Sequence, residues 1–368
     1  MVVLTLALTV VIGATAVVID GGNAMTQHRA TQNAADAASL AGALVIVQKL
    51  GGETRSDADV EAAVISSFAD NAATMTTSYY VDFNHNIVGT VGRGGSIPTD
   101  AWGVRAAGER RFNTFVAGVL GFTSLLASAQ ATALAGALRG VCSAQDGCGV
   151  MPVTFSIPIT TCDGTNRPLR MGVDWPIVSL DVALADQATN QYLSTVPLCT
   201  NGPGGVGWLD LDCGQNLADE INTPCNGPFD IPVWLHTGSG NMNNVDNELN
   251  DYIGELLLVP MFDATCREVP TTGLPADCTD PGNGDNLYYH IPRFAYFLLD
   301  SAFVAGDNSG VCNSPPGQPE GGGNGSTTCL KGWFVRYVTH GPVGIYTPCD
   351  GTVFTCPEES ALGIQLVR

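Results

Sequence analysis

Lysine is nearly absent from this chain: Lys49 and Lys331 are the only two in 368 residues, and 15 Lys plus Arg stand against 35 Asp plus Glu for a formal net charge of −20. A surface so poor in cations repels a phosphate backbone, which excludes nucleic acid as a partner. Cysteine is missing from the first 141 residues and charge from the first nineteen. Chemical motifs are missing as well. No C-x-x-C pair, H-x-x-x-H pair, P-loop or G-x-S-x-G elbow occurs, so zinc, thiol-redox, nucleotide and serine-hydrolase chemistry have no signal here. The five histidines, His28, His85, His236, His290 and His340, are scattered and read as structural. No nucleophile stands out, and no enzyme is expected.

The charge that is present is unevenly divided. Through Gly140 there are ten acidic against eight basic residues, whereas from Val141 onward there are 25 against seven, so eighteen of the twenty net negative charges lie in the second region. The twelve cysteines fall in that region too: Cys142, Cys148, Cys162, Cys199, Cys213, Cys225, Cys266, Cys278, Cys312, Cys329, Cys349 and Cys356. An even number without metal spacing reads as disulfides formed outside the cytosol. Connectivity is not fixed by sequence. The short separations Cys142/Cys148 and Cys349/Cys356 are the natural local pairs, and Cys312 and Cys329 bracket a Pro- and Gly-rich loop at residues 314–328.

The first nineteen residues, MVVLTLALTVVIGATAVVI, form an uncharged run. As a helix rising about 1.5 Å per residue it measures about 28 Å, close to the hydrocarbon thickness of a bilayer. A secretory leader would begin with a positive segment, and none is present. Val2, Val3, Leu4, Leu6, Leu8, Val11, Ile12, Val17 and Val18 supply the apolar surface. Asp20-Gly21-Gly22 then interrupts the run. Each glycine costs about 1 kcal/mol relative to Ala in a helix, so a kink is expected there, with Asp20 capping or solvating the break. Beyond it, Ala34, Ala38 and Ala41 stand on a small-residue face at helical spacing, suited to close packing. Two uses of that face are open: core packing within one chain, or packing against copies of the same chain.

Asp20 with the stretch Gln32-Asn33-Ala34-Ala35-Asp36-Ala37-Ala38-Ser39-Leu40-Ala41-Gly42-Ala43 resembles the N-terminal signature of the tight-adherence (Flp) pilus assembly TadE/TadG-like family. Residues 102–136 resemble it too, and the remainder of the chain only loosely. The resemblance implies a type IV pilin-like apolar helix that is exposed by a prepilin peptidase, places Met1 at the mature N-terminus, sits in the membrane and is then extracted by secretion machinery into an assembly. Where pilins carry Glu at mature position five, this chain has Thr5, which cannot form an ion pair with a neighbour's terminal amine.

Residues 56–73 open with cap residues and carry Val60, Val64, Ile65 and Phe68 on one face, which predicts an amphipathic helix. Residues 79–91 and 101–111 read as paired strands around the turn at Arg93-Gly94-Gly95, residues 112–122 as a short helix and residues 124–138 as a further strand. From 141 onward, short apolar runs recur between Pro, Gly and Asn clusters, as in residues 153–159, 256–262, 288–305 and 332–340. Asp280, Asn283 and Asp285 gather oxygen ligands suited to calcium without EF-hand spacing. Asn324 begins the single N-x-S/T sequon.

The expected fold is α+β, with residues 1–50 as a pilin-like apolar helix, 51–140 as a small α+β subdomain and 141–368 as an acidic, β-rich, disulfide-stapled domain. The expected function is a structural subunit of an extracellular pilus-like filament at the cell surface, assembled by packing of its N-terminal helices and reached by way of the membrane. The alternatives are a membrane-anchored minor pilus-assembly protein and an extracellular ligand-binding module.

Overall fold

The structure is a computed structural model that describes residues 2–140, 149–157, 159–160, 168–169, 177–189, 194–197, 207–211, 216–224, 230–237, 245–281, 287–304, 312, 329–344 and 361–367. The chain divides into two compact units, one of Met1–Gly136 with Ile364–Arg368, the other of Ala137–Gly363.

The first unit is built on α1 (Val2–Leu50), a single helix of 49 residues. It runs through Gly21 and Gly22 without a break. Helix α2 (Asp57–Asp70) begins where the sequence places it, because the Ser56 amide and hydroxyl both donate to the Asp59 carboxylate at 2.7 Å. Strands β1 (Thr74–Val81), β2 (Ile87–Thr90), β3 (Gly103–Asn113) and β4 (Ser124–Leu138) form an antiparallel sheet in the order β2-β1-β3-β4. The β3–β4 register is continuous from Gly103 opposite Leu134 to Asn113 opposite Ser124. Between them, residues 117–120 form a 3-10 turn closed by Gly121 at φ 93°, a left-handed position that glycine takes without strain.

Both helices pack on this sheet. Gly42 is the point of closest approach: a Cβ there would lie 2.9 Å from Val104 on β3 and 3.0 Å from Val64 on α2. Ala34, Ala35, Ala38, Val60, Val64 and Val104 are fully buried. Gly108 on β3 similarly makes room for the Phe68 ring. Asp57 ties the far end together, accepting hydrogen bonds from the Tyr80 hydroxyl (2.6 Å) and the Gly92 and Gly94 amides (3.0 and 2.6 Å).

The second unit contains β5 (Val153–Ser156), β6 (Ile159–Thr160), β7 (Pro168–Leu169), β8 (Ile177–Ser179), β9 (Ser194–Pro197), β10 (Gly207–Asp210) and β11 (Val233–Thr237). It continues with β12 (Leu256–Phe262), β13 (Ala264–Cys266), β14 (Tyr288–Ile291), β15 (Arg293–Phe303), β16 (Cys329–His340) and β17 (Val343–Gly344); the last strand of the chain, β18 (Ala361–Val367), belongs to the first unit from Ile364 onward. The main path of its sheet is β13-β14-β11-β10-β5-β12-β15-β16, mostly antiparallel, with β5 parallel to β12. Helices α3 (Leu180–Thr189), α4 (Leu217–Asn222) and α5 (Asp246–Asn250) are short.

Its central strands are buried on both faces, which explains why they read as unbroken apolar runs rather than alternating ones. One face gathers Leu257, Val259, Ala295, Phe297, Leu299 and Phe334 with Leu217, Ile221 and Leu249 of the helices. The other gathers Leu258, Phe294, Tyr296, Leu298, Trp333 and Val335 with Ala183 of α3. Two disulfides are described. Cys312–Cys329 is the bracket expected at the base of the Pro- and Gly-rich loop, and Cys266–Cys278 joins β13 to the turn at residues 275–277. Both Cys142/Cys148 and Cys349/Cys356, with Cys162, Cys199, Cys213 and Cys225, lie outside the described residues.

The α+β class expected from sequence is therefore corrected. The protein is β-rich, 42% strand, with one long N-terminal helix and few others, and among the described residues two bonds bear on the expected disulfide-rich domain. One segment of the first unit differs from its expectation: residues 112–122, expected to be helical, finish β3 and form the 3-10 turn. Residues 124–138 form the expected strand, held over their length by pairing with β3 despite the helical propensity of alanine.

Candidate functional site

Asp20 is the most informative residue of the N-terminal region. It is 4% exposed, although it follows nineteen uncharged residues on a helix whose neighbouring positions are largely open. Its carboxylate accepts backbone hydrogen bonds from Ala117 (2.5 Å), Phe115 (2.6 Å) and Val116 (3.1 Å). The Ala117 donor leads, burial opposes, and the Phe115 and Val116 donors complete a net downward shift of the carboxyl pKa. Asp20 thus fastens the β3–β4 turn to α1. It does not cap a break in its own helix, because the helix has no break.

Polar contacts extend this fastening toward the C-terminal side. Asn23 Nδ2 donates to the Asn113 carbonyl (3.4 Å), Arg110 Nη1 donates to Gln27 Oε1 (3.3 Å) and Gln32 Nε2 donates to the Gln130 carbonyl (3.2 Å). A second Arg110 nitrogen, Nη2, reaches the carbonyl of Asn71 at the end of α2. Inside the turn, the Thr114 hydroxyl donates to the Phe122 carbonyl and the Phe122 amide to the Ala117 carbonyl (3.1 Å).

The turn so fastened is apolar on its outer surface. Phe115 is 70% exposed and Phe122 64%, and Leu125 and Leu126 at the start of β4 are also exposed. Across the same region of α1, Val11, Val18, Ile19 and Met25 are exposed, Val18 by 74%. Isolated exposed apolar side chains are ordinary, but Val11, Val18 and Met25 recur at seven-residue spacing on the face of α1 turned away from Asp20, and the clamped hairpin carries a second group, each the kind of surface that marks a protein or membrane contact. Exposed His28 and Arg29 follow Met25 on α1, and exposed Arg111 lies opposite Leu126 in the hairpin.

The remaining expected site residues fall as follows. Val2, Val3, Leu4, Leu6, Leu8, Ile12 and Val17 lie in α1 with side chains outside the described set, and Gly21 and Gly22 sit in open helix with nothing near a hypothetical Cβ. Ala34 and Ala38 are covered by the chain's own α2 and β3, and Ala41 is half-buried. Of the two uses open to the small-residue face, packing within one chain is the one realised here. Asp280 pairs with Arg267 (3.3 Å), Asn283, Asp285 and Asn324 lie outside the described residues, and no cluster of metal-ligating groups occurs among those described. His290 Nδ1 lies 2.6 Å from Asp263 Oδ1 beneath the Trp234 ring, a packed pair within the sheet. Among the residues whose side chains are described, which leave out most of residues 2–17, no helix is long and apolar enough to cross a membrane.

Sequence reading missed Phe115, Phe122, Leu125 and Leu126. The available signal was two phenylalanines flanking Ala117-Gly118-Val119-Leu120-Gly121, followed directly by Leu125-Leu126, with no polar partner for either pair.

Residues 1–45 match the Flp pilus-assembly TadE/G-like family model. The N-terminal portion of α1 is thus similar to a TadE/G-like pilus-assembly domain over 45 of the 368 residues, a likeness that points to pilus assembly. No curated protein and no solved structure matches the chain.

Proposed function

We propose that this protein is a component of a pilus-assembly apparatus, held at a membrane by residues 1–19 of α1, with its acidic remainder in water outside. The observation that carries this reading is an uncharged nineteen-residue run, inside the segment matched by the pilus-assembly family, that continues without interruption into the helix on which the first unit is built. At about 1.5 Å per residue the run reaches about 28 Å into an apolar layer. Nothing in this role requires catalysis, a cofactor or calcium. The acidic residues beyond 141 favour an aqueous, lysine-poor exterior and solubility.

A filament-subunit role is the second reading. It draws on the exposure of Val11, Val18, Ile19 and Met25, which would pack against the same residues of other copies after extraction from the membrane by prepilin-processing and secretion machinery. The burial of Ala34 and Ala38 within the chain leaves the upstream half of α1 as the packing surface in that case. Fractionation separates the two. Sheared surface filaments and washed membranes are compared by mass spectrometry of peptides from residues 57–138. Recovery in membranes alone supports the anchored component, stoichiometric recovery in filaments supports the subunit, and recovery only in the soluble fraction defeats both.

A further inference from the structure

We infer that the β3–β4 turn is a second membrane contact, an apolar tip that seats the first unit on an anionic lipid surface at the level where α1 leaves the bilayer. The inference rests on the membrane placement of residues 1–19. Its own basis is a set of independent features of the first unit.

The position of the tip comes first. Asp20 is the first charged residue of the chain, so it marks the boundary of the uncharged run, and the three amide donors that grip it belong to Phe115, Val116 and Ala117. The turn is fixed at that boundary rather than elsewhere on α1. A carboxylate that receives three backbone N–H groups is also screened from the low-dielectric side, which suits it to a place just outside the hydrocarbon.

The character of the tip is the second feature. Phe115 and Phe122 project into solvent from either side of the 3-10 turn, and Leu125 and Leu126, being consecutive on a strand, point to opposite faces of β4. A protein partner docking on the hairpin would cover one face. A lipid interface accepts apolar side chains from both faces and favours aromatic rings at headgroup depth.

Charge is the third. The chain carries a net −20, yet the exposed charged residues nearest the tip along β3 and α1, Arg111 and Arg29, are basic. Arg111 lies four residues before Phe115 and donates to Ser124 across the hairpin (3.3 Å), and His28 and Arg29 are exposed about 13 Å along α1 beyond Asp20, from its rise per residue. Apolar run, aromatic turn and basic collar follow in the order of a bilayer from core to phosphate layer.

The test uses the full chain, reconstituted into vesicles of phosphatidylcholine with phosphatidylglycerol, carrying Phe122→Trp. The emission of the added tryptophan is obtained by subtracting the wild-type signal of the five native tryptophans. Acyl-chain-brominated lipid is expected to quench that difference signal at least twofold, and replacing phosphatidylglycerol by phosphatidylcholine to weaken the quenching. Hydrogen exchange of residues 2–19 in the same vesicles reports α1 separately. Unquenched emission with residues 2–19 protected overturns the tip contact and leaves the anchored reading standing, whereas unprotected residues 2–19 overturn both. Blue-shifted but unquenched emission assigns the tip to a neighbouring protein copy and likewise overturns the inference. Phe115→Trp repeats the measurement independently, should the change at 122 perturb the turn.

Discussion

The Asp20 carboxylate accepts a 2.5 Å hydrogen bond from the Ala117 amide, 97 residues further along the chain, and with the Phe115 and Val116 amides this contact fastens the β3–β4 turn to the N-terminal helix. Replacing Asp20 tests it. Asn keeps one acceptor oxygen and Ala keeps none, so amide exchange at residues 115–117 is expected to accelerate at least tenfold in Asp20→Ala and by less in Asp20→Asn. Mass-spectrometric hydrogen exchange reads this peptide by peptide, and the strands of the second unit should keep wild-type protection.

Acid should loosen the first unit through its carboxylates. Asp57 is pushed up by burial, but hydrogen bonds from Tyr80 and from the Gly94, Gly92 and Arg93 amides outweigh that, and its pKa is lowered on balance. Asp59 is lowered by Ser56, and Asp82 by Asn86. A carboxyl whose folded pKa lies below its unfolded value of 3.8 binds fewer protons when folded, so its contribution is full above that value and is lost as pH falls through the folded pKa. Urea midpoints for the first unit should therefore hold steady down to about pH 4 and drop below it, following the carboxylate reference range. Asp57→Asn should lower the neutral-pH midpoint and flatten the acid limb. An unchanged acid limb would remove Asp57 from this account.

The parts of this fold legible in sequence are those governed by local rules. Ser56 with Asp59 announces α2, and the apolar runs of β12, β15 and β16 announce strands because both faces of their sheet are buried. The Cys312–Cys329 bond follows from a loop that cannot bury a core of its own. What stayed hidden depends on partners far away in the chain. The grip of Asp20 on residues 115–117 has no local signature. The small-residue face of α1 was read from spacing, but spacing does not say what fills the facing surface, and Val64 and Val104 do.

That filled surface makes Ala38 and Gly42 stability positions. Ala38→Glu would bury an unpaired charge against α2 and β3, a cost of about 3–5 kcal/mol that should unfold the first unit. Gly42→Ala is subtler, since overpacking against Val104 and Val64 costs about 1–3 kcal/mol and the gain in helix propensity returns about 1 kcal/mol. A net loss of up to about 2 kcal/mol is expected, and Val104→Ala combined with Gly42→Ala should recover part of it by opening space for the methyl group. Denaturant curves of Gly42→Ala, Val104→Ala and the double variant measure the coupling directly.

The two described disulfides should differ little in what they contribute to the second unit. They span sequence separations of 12 and 17 residues, and the loop-entropy relation assigns about 3 kcal/mol to a loop near fifteen residues. The difference between them from length alone is a few tenths of a kcal/mol, because the dependence is logarithmic. Context should separate them further. Cys312 and Cys329 are both buried, and Cys329 opens β16 opposite Phe303 of β15, so a Cys312→Ala/Cys329→Ala variant leaves a void beside a central strand. Cys278 is only half-buried and joins an edge strand to a 3-10 turn, so Cys266→Ala/Cys278→Ala removes less packing. Urea titration of the second unit should show the larger fall in midpoint for the first pair, and equal falls would mean that loop closure alone governs both.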